Sequence, residues 1–309
     1  MQRRPYFADS SVIALSTRLL LATAAIACAA TNVAAQRLII VSSGDTPGYQ
    51  HALSGIRKLA PGAETLTLVG DRDEKLEAAL MRSGRDTAIV ALGTRATDLV
   101  ARVAPTGPAI SCMAAGDSGT SMTMPVVPLA VPLDVHLPWL KRLLPEARTI
   151  AVLYDPAQNA RYAAELVQGL ARAGYVPMSE PVPSPAALPR ALERIAEADA
   201  LLAIPDTTVY SPETAKGLLL FTFRTRTPMV AFSDAWVQKG ALYGLEWDYA
   251  ELGAYCAALA QRLVAHGKPP SVAPPTPPRP RVSVNLRAAT QQKLKWDAAG
   301  LADVDKKHE

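Results

Sequence analysis

Beyond residue 36, short apolar runs alternate with stretches whose apolar residues recur every three or four positions. Leu38–Val41 is an unbroken aliphatic run closed by Ser42-Ser43-Gly44-Asp45, which predicts a buried strand. From Gly48 to Leu59 the residues Tyr49, Leu53, Ile56 and Leu59 keep helical spacing, and Pro61-Gly62 stops the helix. The same alternation predicts strands at Thr65–Val69, Thr87–Leu92 and Pro108–Met113. Helices are predicted at Asp73–Met81 and at Arg95–Val103, the second opened by Gly93-Thr94. Repeated strand, loop and helix units predict a parallel sheet with helices on both faces.

The pattern then restarts. Strands are predicted at Thr149–Tyr154, Tyr175–Pro181, Ala200–Ile204 and Pro228–Phe232, and helices at Trp139–Leu144, Ala160–Ala173, Pro185–Ala196, Glu213–Arg224 and Tyr249–Ala265. Pro269–Pro280 reads as an extended connector, Arg281–Leu286 as a last strand, and the charged tail from Asp303 as frayed. The chain is therefore expected to be α/β, with two doubly wound parallel-sheet lobes joined by a hinge. Ser42–Asp45, Gly93-Thr94, Asp155, Asp206–Thr208 and Ser233-Asp234 all fall at strand C-termini, the edge where open α/β sheets bind ligands. Two such edges facing each other make a cleft.

Composition narrows the function. With 49% hydrophobic and 19% charged residues among 309, the chain is not intrinsically disordered. Residues 1–35 read as a signal peptide: Arg3, Arg4 and Arg18, an apolar Leu19–Ala30, and a Val33-Ala34-Ala35 cleavage site. The apolar run is too short to span a bilayer, so a periplasmic location is expected. Cys28 follows Ala25-Ile26-Ala27, a faint lipoprotein-like sequence, but acylation is disfavoured because the usual Leu is missing. Removing residues 1–35 takes away three of the basic residues behind the net charge of +4, and no basic run with interleaved aromatics remains, which argues against nucleic acid. Cys112 and Cys256 are expected to be buried free thiols, since two cysteines do not make a disulfide scaffold. Dispersed histidines, no paired cysteines and no phosphate-binding glycine loop argue against metals and nucleotide cofactors. Gly116-Asp117-Ser118-Gly119 spells a serine-protease nucleophile motif, yet the architecture is wrong for that chemistry. It reads as a crossover loop, with hydrolysis through Ser118 a remote alternative.

Four segments carry a family resemblance: Ser42–Gln50, Val152–Pro156, Ile204-Pro205-Asp206-Thr207-Thr208-Val209-Tyr210-Ser211 and Gly240-Ala241-Leu242, joined at the end by Val282–Asn285. Together they resemble the ABC-transporter substrate-binding family of tryptophan- and tyrosine-type solute receptors, over about Arg37–Ala289. The stretch Ala114–Val131 departs from that family's pattern. The resemblance implies a type I periplasmic-binding fold and no enzymatic activity. It places 36–128 with 238–270 in an N-terminal lobe, 129–237 with 280–296 in a C-terminal lobe, and 297–309 in a tail. It implies a monomeric receptor that binds a small molecule, for instance an amino acid or aromatic compound, and hands it to an inner-membrane ABC permease. A sensor that docks on a signalling receptor is the alternative.

Candidate ligand contacts follow from these positions. Ser43, Gly93 and Thr94 could hold a carboxylate through hydroxyls and helix N-terminal amides. Asp206 and Thr207 could hold an ammonium or amide, although the same cluster could simply cap the next helix. Tyr49, Tyr154, Tyr210 and Trp236 could wall an apolar body, and Asp234 completes the set at the last strand edge.

Overall fold

The structure is a computed structural model that describes residues 37–70, 73–117, 124–266 and 277–309. The signal sequence with Cys28, Ser118 and most of the Pro-rich connector lie outside the described residues. The first lobe runs through β1 (Arg37–Ser42), α1 (Pro47–Leu59), β2 (Glu64–Thr67), α2 (Glu74–Met81), β3 (Thr87–Leu92), α3 (Thr94–Val103), β4 (Ala109–Ala114) and β5 (Val126–Pro128). Its sheet has the order β2-β1-β3-β4-β5, parallel throughout. The strands are aliphatic on both sides because both faces are covered. Ile39 and Val41 pack with Leu76, Leu80 and Leu99 of α2 and α3, while Leu38 and Ile40 pack on the opposite face with Leu53 and Ile56 of α1. Local chemistry sets the helix starts. Thr46 accepts from the Tyr49 amide ahead of Pro47, and Asp73 accepts from the Leu76 amide.

The chain crosses through 129–132 into α4 (Leu133–Leu143), β6 (Thr149–Tyr154), α5 (Pro156–Arg172), β7 (Val176–Pro181), a 3-10 turn (Pro185–Ala187), α6 (Leu188–Arg194), β8 (Ala200–Leu202), α7 (Pro212–Thr225), β9 (Met229–Ala231), α8 (Asp234–Gln238) and β10 (Tyr243–Glu246). After α9 (Tyr249–His266) come β11 (Arg281–Asn285), α10 (Leu286–Gln291) and β12 (Lys306–His308). The second sheet has the order β12-β11-β10-β9-β8-β6-β7, with only β10 and β11 antiparallel.

α9 follows the second-lobe strands in sequence but packs on α1, β3 and β4. Glycines let the two helices approach closely. A Cβ at Gly55 would lie 1.8 Å from the Ala250 carbonyl oxygen, and one at Gly253 would lie 2.1 Å from that of Ala52. A disulfide fastens the same contact. Cys112 of β4 and Cys256 of α9 are bonded, with Cα atoms 6.2 Å apart, which corrects the expectation of free thiols. Their 144-residue separation hid the pairing, because cysteine number carries no information about which strand a distant helix returns to.

Other expectations also change. The helix expected at Trp139–Leu144 begins at Leu133 and accommodates Pro138 at the loss of one backbone donor. The expected helix Pro185–Ala196 is a 3-10 turn followed by α6. β10 belongs to the second sheet, although the sequence reading put 238–270 with the first lobe. The terminal residues are not frayed. β12 pairs in parallel with β11, and Asp305 accepts from the Val282 amide at 2.7 Å, so the 297–309 segment ends inside the second sheet.

Candidate functional site

The strand C-termini of the two sheets meet across a cleft of about 940 Å³. Ser43, Tyr49, Thr94, Arg95, Met113 and Ala115 line it from the first lobe, and Gln158, Asn159, Pro205, Asp206, Thr207, Tyr210 and Phe232 from the second. Of the expected contacts, the structure brings together Ser43, Tyr49, Thr94, Asp206, Thr207 and Tyr210 in this lining.

On the first-lobe wall, α3 opens at Gly93 (φ +87°) without a side-chain cap. Ser43 Oγ accepts from the Ala96 amide at 2.9 Å, and Thr94 Oγ1 accepts from the Ala115 amide at 3.0 Å. Gly93 makes room. A Cβ there would sit 2.3 Å from Tyr49 Oη and 2.7 Å from Ser43 Oγ. Burial raises the Tyr49 phenol above its ordinary value, partly countered by the Ser43 hydrogen bond and the Arg95 charge. Arg95 donates to the backbone carbonyls of Ser43 and Gly70.

The second-lobe wall is a polar network around two carboxylates. Asp155 caps α5, accepting from the Ala157 amide, Gln158 Nε2 and Thr208 Oγ1 at 2.7–2.9 Å. Burial acts against its charge, but the bonds from Thr208, Ala157 and Gln158 hold the carboxyl below its usual value. Asp206 is buried and has both oxygens filled. Oδ1 accepts from the Thr208 and Val209 amides at 3.0 and 2.9 Å, and Oδ2 accepts from the Asp155 amide and Asn159 Nδ2, both at 2.7 Å. Its geometry is therefore that of an organiser of the β8–α7 turn, and no lone-pair direction is left over for a ligand ammonium.

Two polar groups of the lining are buried without a hydrogen-bond partner among the described residues: the hydroxyl of Tyr210, an expected contact, and the side-chain oxygen of Asn159, which the sequence reading missed. α5 is kinked at Asn159 (φ −133°, ψ 17°), and Asn159 Oδ1 is buried at the cleft floor without a partner. Its Nδ2 donates to Asp206, so the carboxylate polarises the amide and strengthens Oδ1 as an acceptor. An Asn three residues after the Asp155-Pro156 helix start was the available signal, because Asn competes with helical hydrogen bonding inside a helix. Phe232, just beyond β9, was missed as well. It stands edge-on to Tyr210 with ring centres 5.7 Å apart, and Tyr210 in turn meets Trp236 at 6.0 Å.

Four expected contacts lie elsewhere, among them Trp236, which packs in the second-lobe core behind Tyr210. Gly93 sits behind the lining, as the space-maker described above. Tyr154 packs against the second-lobe core. Asp234 accepts from Gln238, Lys306 and His308 at 2.7–2.9 Å and so anchors the C-terminal strand. Burial opposes its charge, but these bonds, with Ser283, hold it well below the usual carboxylate range. β6 ends at Tyr154 as expected, so the strand ending was not at fault: the Tyr154 side chain packs onto the second-lobe core, and Asp234 is held by Lys306 and His308 of β12, a strand too short to be read from the sequence.

Across the cleft the two lobes touch directly. Asp117, from the loop after β4, donates its amide to the Gln158 carbonyl and accepts from the Arg161 and Tyr162 amides, each at 2.8 Å. Gly116 (φ +66°) lies over Asn159, and a Cβ there would be 3.2 Å from Oδ1 and 2.3 Å from the Gln158 oxygen.

Among solved structures, one of the ABC domain in complex with L-Trp from Streptococcus pneumonia is similar, with 16% identity, a TM-score of 0.64, and coverage of 88% of this chain and 99% of that one. A ligand-free, open substrate-binding protein with adhesive properties from Clostridium difficile shares 15% identity at a TM-score of 0.65, covering 89% of this chain and all of the other. These likenesses establish a type I periplasmic-binding fold. No curated protein matches the chain. The family profile for ABC transporter substrate-binding proteins matches residues 120–306, more than half of the sequence, and the chain belongs to that family.

Proposed function

We propose that this chain is the exported receptor of an ABC importer and binds one small solute between its lobes. The solute carries a hydrogen-bond donor, an ammonium or amide, at one end and a flat apolar body at the other. The donor meets Asn159 Oδ1 and the apolar body lies against Phe232 and Tyr210, with any carboxylate directed to the Ser43 and Thr94 side. The observation that carries this reading is the unpartnered, buried Asn159 oxygen at the floor of an interlobe cleft. Export through residues 1–35 and delivery to an inner-membrane permease complete the proposal. Among the described residues no helix is long and apolar enough to cross a membrane.

A thermal-shift screen of amino acids and aromatic amines tests it. A true ligand at 100 times its Kd stabilises by about 2.7 kcal/mol. Asn159→Leu should then weaken calorimetric binding at least tenfold, about 1.4 kcal/mol, in a protein that still melts cooperatively. Asp206→Ala should instead lower the melting temperature, because it strands four donors. A panel that gives no shift, or equal binding by Asn159→Leu, refutes the reading.

A further inference from the structure

We propose that the outward face of α7 is a self-association surface that pairs two copies of this chain antiparallel about a two-fold axis. One side of α7 is built into the second lobe through Thr214, Leu218 and Thr222. On the other side Glu213, Gly217, Leu220 and Arg224 follow one another at spacings of four, three and four, so they form a single stripe along the helix. All four are exposed, and Phe223 beside them is 57% exposed, an unusual amount of large apolar surface to leave in water on a helix already packed on its other side. Gly217 is a gap in the stripe, since a Cβ there would meet nothing within 4 Å.

The stripe is complementary to itself in one orientation only. With the two-fold axis between Leu218 and Leu219, each Leu220 lies opposite Gly217 of the second copy and fills its gap, while Glu213 at one end faces Arg224 at the other. A parallel pairing would set Glu213 against Glu213 and Arg224 against Arg224. Neither residue forms a salt bridge with another described residue of its own chain, so both are available for the pairing. The two-fold match in charge and shape is what selects a second copy rather than an unrelated partner, because an isologous contact must satisfy the same patch twice. The same device already operates within the chain, where Gly55 and Gly253 bring α1 and α9 into close contact. One helix face buries less than the roughly 800 Å² per partner of a standard interface, so the dimer is weak and reversible.

Sedimentation equilibrium of the purified full chain over a wide concentration range tests this. The parent should show a reversible monomer–dimer equilibrium. Leu220→Glu, which sets a carboxylate against the gap, should raise the dimer dissociation constant at least about tenfold. Glu213→Arg should weaken association similarly through like-charge contacts, and the exchange Glu213→Arg with Arg224→Glu should restore it. Circular dichroism melts confirm that these surface variants remain folded. A parent that stays monomeric at the highest concentration, a Leu220→Glu dimer as stable as the parent's, or an exchange variant that fails to recover would each overturn the proposal. A monomeric parent whose Leu220→Glu variant loses solute uptake would assign this face to the permease instead.

Discussion

Asp206 and Asn159 are adjacent, yet the number of donors each has decides their roles. A carboxylate that already accepts four hydrogen bonds has its desolvation offset within the fold, whereas an amide oxygen with none gains a full bond from any donor that reaches it. Another residue with unmet capacity is His136, which lies on α4 just past the crossover between the lobes. It is buried, its Nδ1 is unpartnered, and burial alone lowers its pKa to about 4. The unfolded chain titrates near the ordinary value of 6.5, so between the two values the unfolded state binds the proton and the folded state resists it. Stability is therefore present in full above about pH 6.5 and is lost as pH falls toward 4, by about 3 kcal/mol for this group. His136→Leu should remove that component. Urea midpoints for parent and variant at neutral pH and near pH 4.5 should converge or cross as the pH falls, and parallel midpoints would show that His136 titrates normally.

The loop after β4 and the kinked α5 act as a pair of elements rather than as single residues. Asp117 supplies the cap that the second segment of α5 lacks once Asn159 has broken the helix, and it supplies it from the opposite lobe. Opening the cleft must break three hydrogen bonds and strand two helix amides. It also lifts Gly116 from above the Asn159 oxygen, which links ligand access to the state of the latch. Asp117→Ala should therefore shift the lobes toward an open form, which small-angle scattering would register as a larger radius of gyration without ligand. Affinity for a ligand of the closed form should fall by roughly tenfold. An unchanged scattering profile would mean that the contact does not govern closure.

For the whole molecule, the decisive feature is a chain that leaves the first lobe and then returns to it. α9 completes the helical layer over the first sheet, and the Cys112–Cys256 bond fixes that return covalently. Such a link stabilises by about 2–4 kcal/mol, mainly by restricting the unfolded chain. For a domain of this size that amounts to roughly 5–10 °C in Tm. The protein purified from an oxidising compartment should lose about that much on full reduction, and Cys112→Ser with Cys256→Ser should melt at the lower temperature with or without reductant. A parent insensitive to reductant would show that the thiols are not bonded in solution.

What the sequence by itself determined was set by short-range physics. Periodicity and capping located β1, β3, β6, α1, α3 and α7 to within a residue or two, and the strand-end clusters Ser42–Asp45 and Asp206–Thr208 pointed to the cleft. β5, α8, α10 and β12 carry neither an unbroken aliphatic run like that of β1, β3 or β6 nor a full helical period, so their tertiary surroundings create them. Tertiary structure alone decided the Cys112–Cys256 bond, the saturation of Asp206, the unmet oxygen of Asn159 and the burial of His136. Each depends on which groups meet across tens to more than a hundred residues of chain, and hydrogen-bond satisfaction is a property of that meeting rather than of any residue type.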